Sequence, residues 1–213
     1  DDQSRLIGRI TADDIVWVLQ EEAEEDILRM GGVSETEMSQ SIFRSTQKRF
    51  IWLFLNLITA ILASIVISFF GASIEKMVAL AILMPIVASM GGNAGTQTLT
   101  LTVRSLATKE LVDSNRRKIF VKEISISILN GIIFAIITSL AAYLWFNDSS
   151  LSLIVGAAMV LNIFSAGLFG FLIPYSLNYF KIDPALASSV FVTTVTDVLG
   201  FLSFLGLASI FLF

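Results

Sequence analysis

A single carboxylate stands in the middle of a long apolar stretch, SSVFVTTVTDVLGFLSFLGL, which covers residues 188–207. An ionised carboxylate at the centre of a bilayer costs about 2.5–3.5 kcal/mol on insertion scales, so a membrane helix seldom keeps one without a use. Asp197 also belongs to a polar stripe at helical spacing, formed by Ser189, Thr193, Thr196, Asp197 and Gly200. Hydroxyl groups that lead to a carboxylate favour a water-filled ion path. The structural alternative is a protonated Asp197 that forms a hydrogen bond to another helix.

A second polar stripe occurs in MPIVASMGGNAGTQTLTLTVRS, residues 84–105. Its polar side chains recur at helical spacing in the order Asn93, Gln97, Thr100 and Arg104. Pro85 removes one helical hydrogen bond and Gly91–Gly92 loosen the chain further, so the sequence predicts a broken helix. A broken helix is typical of cavity-lining segments, whereas the glycines are equally typical of close helix packing, and both interpretations stay open.

Three further amides lie in apolar surroundings, namely Asn56, Asn130 and Asn162. Hydrogen bonding between neighbouring helices is the preferred interpretation for each of them, because a polar side chain in hydrocarbon needs a partner. These residues are therefore predicted to be structural.

Most of the acidic charge lies in the N-terminal stretch TADDIVWVLQEEAEEDILRMGG, residues 11–32. Thr11 or Asp13 can cap a helix here, and Gly31–Gly32 can end it. The acidic run comprises Glu21, Glu22, Glu24, Glu25 and Asp26. A solvated helix face is the default interpretation of such a run. The alternative is a cation-binding patch, since positions 22, 25 and 26 share one helix face.

The available ligands restrict the kind of metal ion that could bind. The chain has no cysteine and no histidine, so zinc and copper lack their usual ligands and an ion would be bound by oxygen. One carboxylate per chain is a weak site, but a twofold axis would bring two Asp197 side chains together. Two negative charges among hydroxyl groups and backbone carbonyls suit a hard divalent cation, namely Mg²⁺, Ca²⁺ or Mn²⁺. Because Mg²⁺ gives up its water reluctantly, a site with few carboxylates and many hydroxyl groups suits an ion that keeps its water shell.

Long apolar helices must position these residues. Of the 213 residues 55% are hydrophobic and 15% are charged, and the mean hydropathy is +0.80. The polar residues are too few to cover a water-soluble domain, and the continuous apolar runs argue against barrel strands. The predicted fold class is an all-α membrane protein with five transmembrane helices, preceded by a cytoplasmic acidic helix. The predicted spans cover roughly residues 50–70, 77–103, 124–146, 152–180 and 186–210.

The distribution of Lys and Arg predicts the topology. Basic residues cluster in 44–49 and 104–122, and Lys181 falls on the same side of the five spans. The opposite side carries only Lys76. By the positive-inside rule, the N-terminus and the 104–123 loop are expected in the cytoplasm and Phe213 outside. Because the sequence starts at Asp1 without a methionine or signal peptide, we expect it to be part of a longer protein.

The sequence resembles the MgtE family of bacterial magnesium channels over its whole length. The strongest element is Pro85 followed by GGNAGTQ, which is similar to the family pattern of Pro, five to six residues, then Gly-Gly-Asn-x-Gly-x-Gln. VRSLAT at 103–108 and FVKE at 120–123 resemble the family's cytoplasmic connection, and DPALASS followed by TDVLG resembles its last span, whose Asp is the pore residue. RLIGRITADDIVWVL resembles the end of a CBS domain, and EEAEEDI resembles the acidic connection that follows it.

The resemblance implies a homodimeric Mg²⁺ channel of the bacterial inner membrane, with a soluble N domain, two CBS domains, a plug helix and five membrane helices. Residues 1–30 would then be the end of the CBS region and the acidic helix, 31–49 a cytoplasmic linker, and 50–213 the pore domain. Its partners would be the lipid bilayer and divalent cations, with no role for nucleic acid and with nucleotide binding restricted to the missing CBS region.

The resemblance also implies roles for individual residues. The central ion site falls on Asp197, and the regulatory Mg²⁺ site of the soluble part falls on Asp14, Glu22, Glu25 and Asp26. The predicted pore lining comprises Asn93, Gln97, Ser189, Thr193, Thr196 and Gly200. Family members often have Asn-Pro where this chain has Ser189–Val190 and a second Asn where it has Thr96, so the pore entrance is expected to differ in detail.

Two other classes of protein, a cation exchanger and an enzyme, are alternatives to a channel. A cation exchanger would alternate a proton or Na⁺ with the metal at Asp197, and it would differ from a channel in its dependence on those gradients. An enzyme would need the two Asp197 side chains of a dimer to form a dyad like that of the aspartic proteases. The threonine stripe has no role in such an enzyme, so no enzymatic activity is expected.

Overall fold

The computed structural model describes residues 9, 11–33, 40–112 and 114–212, apart from a few side chains within the helices. These residues form seven helices and no strand. The helices are α1 (Ala12–Met30), α2 (Ile42–Ser68), α3 (Gly71–Lys76), α4 (Ala79–Ala107), α5 (Arg116–Phe146), α6 (Ser149–Tyr179) and α7 (Pro184–Phe211). Before α2 the described residues form only the single helix α1 and no CBS domain.

Five of the helices are long and apolar enough to cross a membrane, as the sequence predicted. They are α2, α4, α5, α6 and the part of α7 that covers Ser188–Phe211. Most begin or end outside the predicted spans, because helical structure continues into the polar flanks. The clearest case is α2, which starts at Ile42 and so includes the basic residues Arg44, Lys48 and Arg49.

The core of the bundle is centred on α6. This helix packs against α4, α5 and α7, and 61% of its most apolar 18-residue window is buried. Leu80 of α4, Met159 of α6 and Phe204 of α7 are among the fully buried residues of this core. By contrast, α2 packs mainly against α7 and only 6% of its window is buried. The apolar surface of α2 thus faces outward, as expected for a helix in contact with lipid.

Glycines let these helices approach closely. A Cβ atom added at Gly170 of α6 would lie 2.9 Å from the carbonyl oxygen of Gly95, and one added at Gly95 would lie 2.7 Å from Val192 of α7. On the other side of α6, a Cβ at Gly156 would lie 2.2 Å from the hydroxyl of Ser139 in α5. Small residues at such crossings are how membrane helices gain close van der Waals contact.

The predicted break in the second span is not present. Helix α4 runs without interruption through Pro85 and Gly91–Gly92 from Ala79 to Ala107. The fourth span also contains a proline, Pro174, and α6 is continuous through it. Close packing explains both results, because Gly91 and Gly95 contact neighbouring helices while a membrane helix tolerates the one hydrogen bond lost at each proline.

The ends of α1 form as the sequence predicted. Thr11 is the N-cap, and its backbone N–H and its hydroxyl each donate to the Asp14 carboxylate at 2.7 Å. The helix ends at Gly31, and Gly32 adopts a φ of 69°, a conformation that suits glycine. The amide of Val33 then donates back to Leu28 at 3.1 Å, which turns the chain away from the helix axis.

Candidate transmembrane ion site

Asp197 lies at the middle of α7, with thirteen residues of the helix before it and fourteen after it. About 20 Å of helix therefore separates its Cα atom from either end. The side chain is half-buried. Among the described residues no side chain or backbone group donates a hydrogen bond to it and no cation pairs with it. The fold thus holds a carboxylate at membrane depth and supplies no partner for it from the same chain.

The polar stripe around Asp197 divides between two directions. Thr196 and Gly200 are buried against neighbouring helices, since Thr196 is near Gly95 of α4 and Gly200 is near Asn162 of α6. Thr193, one helical turn before Asp197, is only half-buried. In a single chain, Ser189, Thr193 and Asp197 are therefore the half-buried members of the stripe. The roles of all five stripe residues in a pore stay predictions.

The hydroxyl groups of the stripe donate their hydrogens to the backbone. Thr193 donates to the carbonyl of Ser189 at 2.9 Å, and Thr196 donates to that of Thr193 at 3.0 Å. Ser189 donates to the carbonyl of Met30 in α1 at 3.0 Å. With the donor used in this way, each hydroxyl oxygen keeps lone pairs that can accept a hydrogen bond from water or face a cation.

Helix α4 has a polar face that is exposed in the single chain. Asn93, Thr96 and Thr100 are exposed, while Gly91 and Gly95 on the opposite face are packed against α6 and α7. Gly92 belongs to the open face, because an added Cβ there would meet no atom within 4 Å. Asn93 thus lies on the face of α4 that the rest of the chain leaves uncovered, and its predicted role in the pore stays a prediction.

Gln97 is also exposed but lies in a different place. It lines a crevice between α4, α5 and α6, together with residues such as Glu123 and Asn130. Its predicted role in the pore is untested, and the crevice gives it a second polar environment.

Asn162 lies at the point where α4, α6 and α7 meet. Its amide nitrogen donates to the carbonyl of Val87 at 2.7 Å, which confirms the predicted interhelical hydrogen bond. The side chain is fully buried, and its Oδ1 has no hydrogen-bond partner among the described residues. Asn56 differs from the prediction, because its amide donates to Trp52 of its own helix.

The start of α7 is tied to the end of α1. Arg29 donates to Asp183 and to Glu25, and Asp183 also accepts from the backbone N–H of Ala185 at 2.9 Å as the N-cap of α7. Desolvation lowers the pKa of Arg29, but the hydrogen bonds to Asp183 and Glu25 outweigh it and raise the pKa, so Arg29 stays cationic. The acidic helix therefore contacts the same helix that carries Asp197.

Of the four proposed regulatory carboxylates, Asp14 and Glu25 have described side chains, and these two lie apart on α1. Asp14 caps α1, and the hydrogen bonds from the Thr11 backbone and hydroxyl lower the pKa of its carboxyl. Glu25, which pairs with Arg29, lies eleven positions further along α1, or about 16 Å along the helix axis. The side chains of Glu22 and Asp26 lie outside the described part. A shared regulatory site on these residues stays a prediction.

Two buried polar groups were not predicted from the sequence. Glu123, near the start of α5, is 8% exposed, and Oδ1 of Asn162 has no partner among the described residues. Glu123 could have been identified from the sequence FVKE, because a charged residue at the end of a span that faces other helices is unusual. Helical periodicity in one chain does not tell which helices meet at Asn162.

Comparison with known proteins gives one family and several relatives. The model of the family MgtE, described as divalent cation transporter, matches residues 84–207. The chain is 34% identical over its full length to a magnesium transporter MgtE of Thermus thermophilus, of which it covers 48%. It is 30% identical over 97% of its length to one of Bacillus subtilis, of which it covers 46%, and 31% identical over its full length to one of Enterococcus faecalis, of which it covers 47%. The chain spans about half the length of these curated relatives.

Proposed function

The chain belongs to the MgtE family of divalent cation transporters, and from that premise we propose that it forms the membrane pore of a homodimeric Mg²⁺ channel. Its three curated relatives each carry the name magnesium transporter. In this proposal Asp197 is the central ion-binding carboxylate, and the protein is a multi-pass protein of the bacterial plasma membrane.

One observation carries the proposal: the chain leaves the Asp197 carboxylate without a partner at the middle of α7. Among the described residues it receives no hydrogen bond and no cation, although it lies where an unpaired charge costs about 2.5–3.5 kcal/mol. A group that the fold neither removes nor satisfies is typical of an ion pathway, where the ion and its water complete the site.

A second copy of the chain supplies the missing charge. Two copies related by a twofold axis would place two Asp197 carboxylates on opposite sides of one path. Their combined charge of about −2 matches one divalent cation, so the ion is neutralised where hydrocarbon surrounds the pore. The half-buried face of Asp197 and Thr193 and the exposed polar face of α4 with Asn93 are the surfaces that would meet the path.

The oxygen chemistry of this face suits a hydrated ion. Thr193 presents lone pairs rather than a free donor, since its hydrogen is given to Ser189. Mg²⁺ keeps several of its waters, and these waters are donors that hydroxyl, amide and carboxylate oxygens can accept. Asp197 would thus attract the ion by charge, and its neighbours would bind the water shell.

Replacing Asp197 by Asn tests the proposal, because the amide keeps the size and hydrogen bonding of the carboxyl group and removes only its charge. Mg²⁺ flux measured in vesicles, and growth of a magnesium-dependent strain, should fall by at least about tenfold, since the loss of 1.4 kcal/mol in ion binding already gives that factor. Glu75→Gln is the matched control, because Glu75 is an exposed carboxylate in α3 and its loss should leave flux within about twofold.

Wild-type flux in Asp197→Asn would show that the carboxylate acts as a hydrogen-bonding group and not as a charge. A dependence of wild-type flux on a proton or sodium gradient would instead support the exchanger. A channel predicts electrogenic Mg²⁺ flux in the absence of either gradient.

The proposed topology has a separate test. With basic residues on the cytoplasmic side, Ser114 between α4 and α5 should be cytoplasmic and Ser149 at the start of α6 should be external. Both side chains are exposed and the chain has no native cysteine, so Ser114→Cys and Ser149→Cys can be labelled one at a time in intact cells. An impermeant thiol reagent should label only Cys at 149. Labelling of both positions from outside would reject the five-span arrangement.

A further inference from the structure

A polar crevice lies within the membrane part of the chain, away from the α4–α7 crossing. Its walls come from α4, α5 and α6, and its volume of about 80 Å³ is enough for an ion with a few waters. Five of its side chains carry oxygen: Gln97, Thr98, Glu123, Ser127 and Asn130. The three that lie on α5 extend over eight residues, and about 10.5 Å of helix separates the first from the last.

Most of these polar groups lack a partner in the fold. Glu123 is 8% exposed and Thr98 is 6% exposed, yet among the described residues neither side chain takes part in a hydrogen bond or an ion pair. The side-chain amides of Gln97 and Asn130 also take part in no hydrogen bond within the described part of the chain. Only Ser127 is engaged, since its hydroxyl donates to the carbonyl of Glu123 at 2.9 Å. Gln97 is exposed and Asn130 is half-buried, so water can reach their amides. Buried polar groups normally have partners, so the two buried side chains without one, Glu123 and Thr98, indicate that the crevice takes a ligand.

The charge of the crevice restricts that ligand. Glu123 is the one ionisable group among its lining residues. A monovalent cation would leave the crevice neutral, whereas a divalent cation would leave a net positive charge in a low-dielectric place. The negative charge of Glu123 also excludes phosphates, carboxylates and other anions as the ligand.

The donor atoms restrict the ligand further. A proton on Glu123 would neutralise the charge but would leave the oxygens of Thr98, Gln97 and Asn130 unused. A hard cation uses carboxylate, amide and hydroxyl oxygens together, and Ser127 can add its lone pairs because its hydrogen is already given to the backbone. We propose that this crevice is a monovalent cation site, which binds Na⁺ between Glu123 of α5 and the amide and hydroxyl oxygens of α4 and α5.

The crevice site shares no residue with the Asp197 face. Glu123 lies on α5, which packs mainly against α6, while Asp197 lies on α7. Ligand binding in the crevice would tie α4 to α5, a pair of helices with little direct contact in the chain. Na⁺ should therefore stabilise the helix bundle even when Asp197 is removed.

The test is thermal unfolding of the purified chain in nanodiscs, with NaCl exchanged for choline chloride at constant ionic strength. Saturating Na⁺ should raise the Tm of the wild type by about 2–4 °C, as a ligand at several times its Kd does for a chain of this size. Asp197→Asn should keep the whole shift. Glu123→Gln, which keeps the shape and removes the charge, should lose it.

A second variant covers the case in which Glu123→Gln fails to fold. Thr98→Val keeps the shape of the side chain and removes one proposed ligand, so it should weaken the apparent Na⁺ affinity several-fold. An equal response to choline and Na⁺, or an unchanged Na⁺ shift in either crevice variant, would overturn the proposal. A shift given by Mg²⁺ and lost in Glu123→Gln, with none from Na⁺, would also overturn it, because the site would then be divalent.

Discussion

The carboxylates at the helix ends and the carboxylate in the middle of α7 are treated differently by the same fold. Asp14, Asp148 and Asp183 each accept hydrogen bonds from the first turn or the N-cap of their helix, and Asp183 also pairs with Arg29. Asp197 receives no such bond within the described chain. Carboxylates at helix N-termini stabilise the fold through the orphan N–H groups there. A carboxylate that the fold leaves unsatisfied retains its capacity to bind an ion.

The comparison predicts opposite effects on stability for two Asp substitutions. Asp183→Ala removes an N-cap worth about 1 kcal/mol and a half-exposed ion pair worth less than about 1 kcal/mol, so the apparent Tm should fall by about 2–8 °C. Asp197→Ala removes a charge without a partner and should leave the Tm unchanged or raise it. Thermal unfolding of the two variants beside the wild type measures both effects.

A matched variant sharpens this result. Asn is as good an N-cap as Asp but carries no charge, so Asp183→Asn should lose only the contribution of Arg29 and give an intermediate Tm. A fall in Tm for Asp197→Ala as large as that for Asp183→Ala would mean that Asp197 is a structural residue, and the contrast between the two groups would disappear.

The smallest expected effect concerns Asp14. Because hydrogen bonds from Thr11 lower the pKa of this carboxyl in the folded chain, its contribution to stability is present above the unfolded pKa of about 3.9 and is lost as the pH falls through the folded value. The difference in Tm between the wild type and Asp14→Asn should therefore be positive at neutral pH and vanish once the pH lies below the folded pKa of Asp14. A difference that grows as the pH falls contradicts the capping role of the ionised carboxyl.

The helices could be predicted from the sequence because apolar length alone identifies them. Five spans were expected, and five candidate spans are found among the described residues. Thr11 is the N-cap of α1 and Gly31 is its C-cap, as their residue types suggested. The continuity of α4 through Pro85 was not predictable in the same way. Whether such residues break a helix depends on the neighbours that pack against it, here Asn162 against Gly91 and Val192 against Gly95.

The site was predictable in part for a related reason. Asp197 could be identified because a charge in an apolar run is visible in the sequence alone. The direction of each stripe residue was not visible, since the stripe of α7 is wide enough for Thr196 to face α4 while Thr193 stays accessible. The crevice at Glu123 needs three helices to form, and periodicity within one helix carries no information on such a meeting.

The most direct test of the central claim is a structure of the homodimer at a Mg²⁺ concentration that supports flux, with the ion identified by exchange for Mn²⁺ and its anomalous scattering. One ion is expected on the twofold axis, about 4–5 Å from the carboxylate oxygens of both Asp197 side chains. This distance leaves one layer of water between the ion and each carboxylate. An axis without an ion, with both Asp197 side chains turned away from it, would contradict the claim that this carboxylate holds the transported cation.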